Sequence, residues 1–409
     1  MTMKHTYDRD VCGFIKQAYV LTLANARSFP LRLSSSLISM LSIACVTAVI
    51  LSVLVMVEGM MKTLDHSGME DTVLVMRAGS VSELQSVMFL NELKILADNA
   101  SVARDESGHA KASAELFVSA ELAYEDSDGH DLSTSLALRG LSLSTLQFRP
   151  GFNMEQGRFF TPGLRQLIIG KAVARRIPDL KLGATVTLAG AQWQVSGVFS
   201  DQNSAFESEL WADLGVLQSD YQRGPSVQTI RLALTDIKHL DALRAEWAKD
   251  PRLNIRVTSE SVFFADQADS LTRLVRYIGF PVSAIMAIGA MVAALSTMYS
   301  AVASRSKEIA TQKAIGFGPF AIAASILFES IFIAFLGALF GMVPLYVVFD
   351  GWTATTHNTV NLSQLMFNFD LDLSLLLKAL SLALLIGIIG GLLPAIKAMR
   401  LSVVDALRD

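Results

Sequence analysis

Cysteine is almost absent from this chain. Cys12 and Cys45 are the only two among 409 residues. One stands in the N-terminal segment and the other inside a long apolar run, so they are not placed to form a disulfide, whose Cα atoms must lie within about 7 Å. The stretch 58–272 has none and must be held by its own core. Histidine is also sparse: the six, at 5, 66, 109, 130, 239 and 357, are scattered. No His-Glu-x-x-His occurs, so no metal site is expected. No Gly-x-Ser-x-Gly elbow marks a nucleophile. Gly163 to Lys171 looks briefly like a phosphate loop, but six residues separate Gly163 from Gly170 where four are needed, and Ala172 stands where Ser or Thr must meet magnesium. No cofactor is therefore expected on this chain; if ATP drives it, another polypeptide binds the nucleotide. The acidic run 125–129 lacks the ligand spacing and closing glutamate of a calcium loop and reads as a solvated turn.

Charge is the other scarcity. Only 18% of residues are charged against 52% hydrophobic. The charge-poor stretches gather in four places. Ser34–Val57 has no charged residue, nor has the stretch between Arg276 and Arg305. Ala321–Phe349 is interrupted only by Glu329, and Leu375–Ile396 only by Lys378 near its start. A helix rises about 1.5 Å per residue, so the first run covers about 36 Å, enough for a hydrocarbon layer of about 30 Å. The expected fold is an α-helical membrane protein with four transmembrane helices and a large α+β extracytoplasmic domain between helices 1 and 2. The first run is too long for a signal-peptide core and lacks a small-residue cleavage site after it.

Basic residues favour the cytoplasmic side of short loops. Arg27 and Arg32 precede the first run, Arg305, Lys307 and Lys313 fill the link between the second and third, and Lys397, Arg400 and Arg408 follow the fourth. Residues 350–372 contain no Lys or Arg. Both termini and the second–third link are thus expected in the cytoplasm, and 58–272 and 350–372 outside. Residues 58–272 carry a net charge of −9 within a chain of −4. That balance gives no footprint for nucleic acid.

The resulting division is an amphipathic N-terminal segment (1–33), first span (34–57), outer domain (58–272), stalk and second span (273–304), cytoplasmic link (305–320), third span (321–349), short outer loop (350–372), fourth span (373–396) and tail (397–409). Strand and helix signals alternate through the outer domain. Strands are expected at 72–76, 116–123, 135–141, 167–169, 183–188, 192–199, 229–234 and 254–258, and helices at 85–97, 171–177 and 240–248. Ala189-Gly190-Ala191 marks a hairpin. Two lobes are expected, one from both ends of the domain and one from about 110–220. In residues 13–32, apolar Phe14, Ile15, Tyr19, Leu21, Leu23 and Phe29 intersperse with Lys16, Arg27 and Arg32, which suits a helix lying on the inner membrane face.

Gly337-x-x-x-Gly341 and Gly387-x-x-x-Gly391 have the spacing that lets helices approach closely; the sequence does not say which helix each meets. An intramembrane carboxylate is costly. Glu329 reads either as a proton relay or as a partner for a basic residue of the link, near the inner end of its span.

Arg305-Ser-Lys307-Glu308-Ile309-Ala310-Thr-Gln-Lys313-Ala314-Ile-Gly316-Phe317 resembles the signature of MacB/FtsX-type ABC transporter permeases. Phe328-Glu329-Ser330 with Gly337 and Gly341 is similar to the family's third helix, and Gly390 to Arg400 with Ala406-Leu407-Arg408 to its usual finish. Gln156 to Phe160, Ile169 to Ala174, Leu182-Gly183 and Val195 to Phe199 resemble the MacB periplasmic core pattern. The resemblance implies a permease in the bacterial inner membrane, paired with itself or a paralogue, with a periplasmic outer domain. It implies that Arg305–Phe317 is a coupling helix receiving motion from ATPase subunits that bind ATP and magnesium. Ile309, Ala310 and Lys313 fall at i, i+1 and i+4, so one side of that helix is expected to meet the partner; on residues alone the link also reads as a plain basic loop. MacB carries its ATPase on the same chain, whereas this sequence begins almost at the membrane, which is more like permeases with a separate ATPase. Export through a periplasmic membrane-fusion adaptor and an outer-membrane channel is the first expectation. Lipoprotein extraction, as by Lol permeases, and FtsX-like signalling to a periplasmic partner are the alternatives.

Overall fold

The computed structural model describes residues 16–23, 33–125, 131–177, 179–349, 351–358 and 363–403. Most of the N-terminal segment, including Arg27 and Arg32, lies outside these residues, as do residues 126–130, which hold most of the acidic run, and the terminal Ala406-Leu407-Arg408. The chain forms two compact units. One comprises residues up to Val57 with Leu274–Asp350 and Asp370–Asp409; the other comprises Glu58–Arg273 with Gly351–Phe369.

The first unit is helical. Residues 16–23 form α1, followed by α2 (Leu33–Asp65). Later in the chain come α7 (Glu260–Ser304), α8 (Ser306–Ala314), α9 (Pro319–Phe349) and α10 (Leu373–Arg400). Helices α2 and α7 run on into the second unit. Helices α2, α7, α9 and α10 are each long and apolar enough to cross a membrane. Without a hydrophobic drive between helices in lipid, small residues decide where backbones meet. A Cβ on Gly341 would lie 2.4 Å from the Ala44 carbonyl oxygen, and one on Gly337 2.8 Å from that of Met40. The α9 pair therefore seats α2. A Cβ on Gly387 would lie 2.4 Å from that of Ala334, and one on Gly391 2.5 Å from that of Ser330, so the α10 pair seats α9. The Ser330 hydroxyl donates to the Gly387 carbonyl at 2.7 Å across that seam. Gly390 faces Ala294 of α7, and the Ser39 and Thr297 hydroxyls join α2 to α7.

The second unit is built on one mixed sheet. Its elements are β1 (Thr72–Arg77), β2 (Met88–Phe89), α3 (Leu90–Ala97), β3 (Ala112–Glu125), β4 (Asp131–Leu141), β5 (Phe152–Gly157), β6 (Gln166–Gly170) and α4 (Lys171–Arg176). There follow β7 (Thr185–Leu188), β8 (Ala191–Asp201), β9 (Glu209–Asp213), α5 (Leu214–Asp220), β10 (Ser226–Val227), β11 (Thr229–Ala233), α6 (Leu240–Trp247) and β12 (Ile255–Ser259). The strand order is β12-β1-β11-β3-β4-β9-β6-β8-β5, with β7 also on β8. Pairing is antiparallel except for β4 with β9 and β6 with β8. At the β7–β8 turn Ala189 and Gly190 both have positive φ, 49° and 75°, the two-residue geometry that matches strand twist.

The two expected lobes share this sheet. Strand β3 pairs with β11 over Ala112–Glu115 and with β4 from Leu116 onward, so strands from the ends and the middle of the segment are continuous. Two separate apolar clusters do form. One gathers Val73, Val75, Ile230, Leu232 and Trp247; the other Leu116, Val118, Leu138, Ile169 and Trp193. The helix expected over 85–97 is shortened because Met88 and Phe89 pair with Val227 and Ser226; it starts at Leu90, and Glu92 accepts from the Phe89 amide at 2.8 Å. Residues 350–372 are more than a loop. They carry a hairpin, β13 (Thr353–Asn358) and β14 (Ser363–Asn368), whose Leu365 and Met366 are buried in the cores of the second unit.

A third core centres on Trp211, stacked on Phe199 at 4.1 Å and on Phe152 at 5.8 Å. Trp211→Ala is expected to cost about 3–5 kcal/mol of stability, read by thermal unfolding of the second unit within the full chain. A loss too small to shift the transition would contradict this account of the core.

Candidate functional site

Two charged constellations stand out, one in each unit. In the helical unit, Arg305 sits at the break between α7 and α8. Its guanidinium grips Glu329 of α9 with both arms, at 2.6 and 3.0 Å. Arg305 and Glu329 are both largely buried, 6% and 11% exposed. The paired form supplies what a carboxylate in an apolar helix needs, a fork-shaped cation with matching geometry. Just past the C-cap Ile315 of α8 comes Gly316, whose φ of 103° only glycine adopts easily. Its amide donates to the Lys313 carbonyl and the Phe317 amide to that of Gln312, both at 3.1 Å, which closes the helix in a Schellman turn.

The face that α8 turns inward differs from expectation. Ile309 is buried in a cluster with Ala18 and Leu21 of α1, Val302 of α7, Ile322 of α9 and Ala398 of α10, and Ala310 beside it is buried as well. Lys313 donates to the carbonyls of Met399 and Leu401 at 2.9 and 2.7 Å, and burial pulls its pKa below the usual lysine value. These three residues, expected to meet a partner, are used up by the chain's own helices. The i, i+1, i+4 spacing located one face correctly but could not say that α1, α9 and α10 cover it. Lys307, Glu308, Thr311, Ala314, Ile315 and Gly316 form the exposed side, and Phe317 packs at the edge of the cluster. Gln17 of α1 accepts from the Gly318 amide at 3.0 Å, which ties α1 to the α8–α9 turn.

The second constellation escaped the sequence reading. Three arginines and four glutamates from distant parts of the chain, four of them on strands, meet in the second unit. Arg139 of β4 donates to Glu209 of β9 at 2.6 and 2.7 Å, to Glu83 at 2.8 and 3.0 Å and to Glu115 of β3 at 2.9 Å. Arg231 of β11 donates to Glu260 at 2.8 Å, to Glu83 at 3.3 Å and to Glu115. Arg149 donates to Glu260 at 3.5 Å, and its guanidinium carbon lies 3.8 Å from the centre of the Phe206 ring. All seven charged residues are buried. Burial alone would raise the Glu83 pKa, but Arg139, with Arg231 and Arg149, brings it down to about 2. Burial would likewise raise Glu115, and Arg231 and Arg139 outweigh it. Burial would lower Arg139, and its carboxylates hold it well above the usual value. Arg149 goes the other way: burial and the neighbouring Arg231 lower it against the pull of Glu260 and Glu115. The signal in the sequence was a lone charge inside an apolar strand, as in Leu138-Arg139-Gly140-Leu141 and Ile230-Arg231-Leu232.

Among the described residues, no group of three or more His, Cys, Asp or Glu is arranged to hold a metal ion.

Comparison with known proteins finds two family models. Residues 36–249 match the model of the MacB-like periplasmic core domain, and residues 281–403 that of the FtsX-like permease C-terminal region. An uncharacterized ABC transporter permease of Methanocaldococcus jannaschii is 23% identical over 63% of this chain and 66% of its own length. The macrolide export ATP-binding/permease protein MacB of Neisseria gonorrhoeae is 25% identical over 91% of this chain and 58% of its own. The chain thus spans less than two thirds of each of these curated relatives. The crystal structure of the periplasmic region of MacB from Actinobacillus actinomycetemcomitans aligns with a TM-score of 0.36 at 13% identity, over 51% of this chain and 94% of that one. The chain belongs to the MacB/FtsX-like family of ABC transporter permeases.

Removing one partner of a buried ion pair strands the other's charge, whereas replacing both by apolar groups does not. Arg305→Met and Glu329→Leu are each expected to lower stability by about 3 kcal/mol or more, while the double variant recovers most of that loss. Thermal unfolding of the full chain in detergent measures this; singles as stable as the parent would contradict the role of the pair.

Proposed function

We propose that this chain is the membrane subunit of an ABC transporter in the bacterial inner membrane, with both termini in the cytoplasm and the mixed-sheet unit in the periplasm. A separate ATPase binds ATP and magnesium and supplies the work, and a second permease, identical or paralogous, completes the membrane unit. The chain itself converts nucleotide-driven movement into movement on the far side of the bilayer. Its cargo leaves by way of a periplasmic adaptor and an outer-membrane channel.

The observation that carries this reading is the build of α8. It is a short helix between two long apolar ones, packed through Ile309 and Lys313 onto α1, α9 and α10, with Ala310 buried, and exposed along Lys307, Glu308, Thr311, Ala314 and Ile315. A push on the exposed side is delivered directly to the helices behind it. The Arg305–Glu329 fork and the Schellman turn fix the two ends of α8, so little of that push is lost in local bending. Basic charge at this link and its absence from 350–372 support the orientation. A nucleotide can shift such an element only if it favours one of its positions over another.

The test uses the permease reconstituted in nanodiscs with its ATPase. Lys307→Glu and Ile315→Asp alter only the exposed side of α8. Each is expected to cut permease-stimulated ATP hydrolysis by about tenfold with unchanged thermal stability. Stimulation equal to that of the parent chain in both variants would overturn the assignment of α8.

A further inference from the structure

The buried charge cluster does more than neutralise itself. Glu260 is the first residue of α7 and is fully buried. Strand β12 ends at Ser259, so edge strand and helix join with no loop between them. In strand order β12 lies at the rim, β1 next and β11 third. The Arg231 guanidinium therefore reaches from the third strand across β1 to seize the first turn of the helix that leaves the rim. The other carboxylate oxygen of Glu260 accepts from the Met69 amide at 3.4 Å. The turn before β1 closes on the same place, since a Cβ on Gly68 would lie 2.6 Å from the Ser261 Cα. Beyond the first turn, Phe263, Phe264 and Ala268 are buried in the core around Trp211, and Phe264 meets Phe206 edge-on at 5.7 Å. The aromatic ring under the three guanidiniums is thus also the ring against which α7 packs.

Stability alone does not account for this arrangement. A buried ion pair adds little over apolar residues of the same volume, because desolvation offsets its attraction, but it is demanding about geometry. An acidic residue in the first turn is favoured by the helix dipole even when exposed; here it is buried and held by two arginines. We propose that Glu260 and Arg231 are positioning residues that make the first turns of α7 a fixed part of the mixed sheet, so that those turns and the sheet move as one body. This rests on the permease reading for its purpose and deepens it: the same helix ends at Ser304, beside the Arg305 break. A hinge at Glu260 would let the first turns of α7 move without the sheet; the anchor removes that freedom.

Hydrogen exchange on the full chain in nanodiscs reads this without any ATPase. In Glu260→Gln, amides of residues 261–268 are expected to exchange about tenfold faster, while those of β1 and β11 stay within about twofold of the parent. Arg231→Lys keeps the charge but loses the fork, and is expected to give a smaller acceleration confined to the same helix turns. Two results would overturn the anchor. One is a helix start as protected in both variants as in the parent; the other is equal loss of protection in helix and strands, which would make the pair a general stabiliser. Failure of the permease reading would show elsewhere, as intact ATPase stimulation in the α8 variants with normal exchange at 261–268.

Discussion

A charge inside a protein must be matched or it unfolds its surroundings. Three guanidiniums and four carboxylates in the interior of one sheet set that requirement at a high level here, and much of the second unit follows from it. Glu83 must leave β1 by the route that returns it to Arg139. Strand β3 must run long enough to place Glu115 between Arg139 and Arg231, and in doing so it joins two cores into one sheet. Glu209 must open β9 beside Arg139, which brings Trp211 onto Phe199 and its own indole N–H onto the same carboxylate at 2.8 Å. Glu260 must begin α7 where two arginines reach it.

The helical unit solves a related problem with fewer parts. One carboxylate in α9 is matched by one guanidinium at the α7–α8 break. Elsewhere the helices meet through glycine, alanine and serine, which let carbonyls and hydroxyls approach across the seams. In the proposed function, α8 is the place where outside force enters. Its inward side is committed to the chain, and its outward side carries charge and one large aliphatic residue, Ile315.

How much of this was legible in the sequence depends on the range of the interaction. The four long helices were readable because their signal is local: some twenty residues without charge. Strands such as β1, β6 and β8 and the Ala189–Gly190 hairpin were readable for the same reason. Strand β9 was not, because Glu209 and Asp213 bracket only three apolar residues, and the charge of Glu209 makes sense only once Arg139 is beside it. The β13–β14 hairpin was read as a loop because its threonines and asparagines carry little apolar signal; it is held by cores made elsewhere in the chain. The small-residue spacings in α9 and α10 announced close packing, but the identity of each partner is a tertiary fact. For α8, periodicity found the face formed by Ile309, Ala310 and Lys313, yet assigned it to a partner when the chain's own helices cover it. Glu329 was legible as an anomaly needing a basic neighbour, and Arg305 is that neighbour.

The proposed function requires α8 and the mixed-sheet unit to work on opposite sides of a membrane. Single cysteines at Thr311 and Ser107, in a chain with Cys12 and Cys45 replaced by serine, test it through labelling of spheroplasts with a membrane-impermeant maleimide. The account expects Ser107→Cys to label at once and Thr311→Cys only after permeabilisation. Labelling of both from the same side would contradict it.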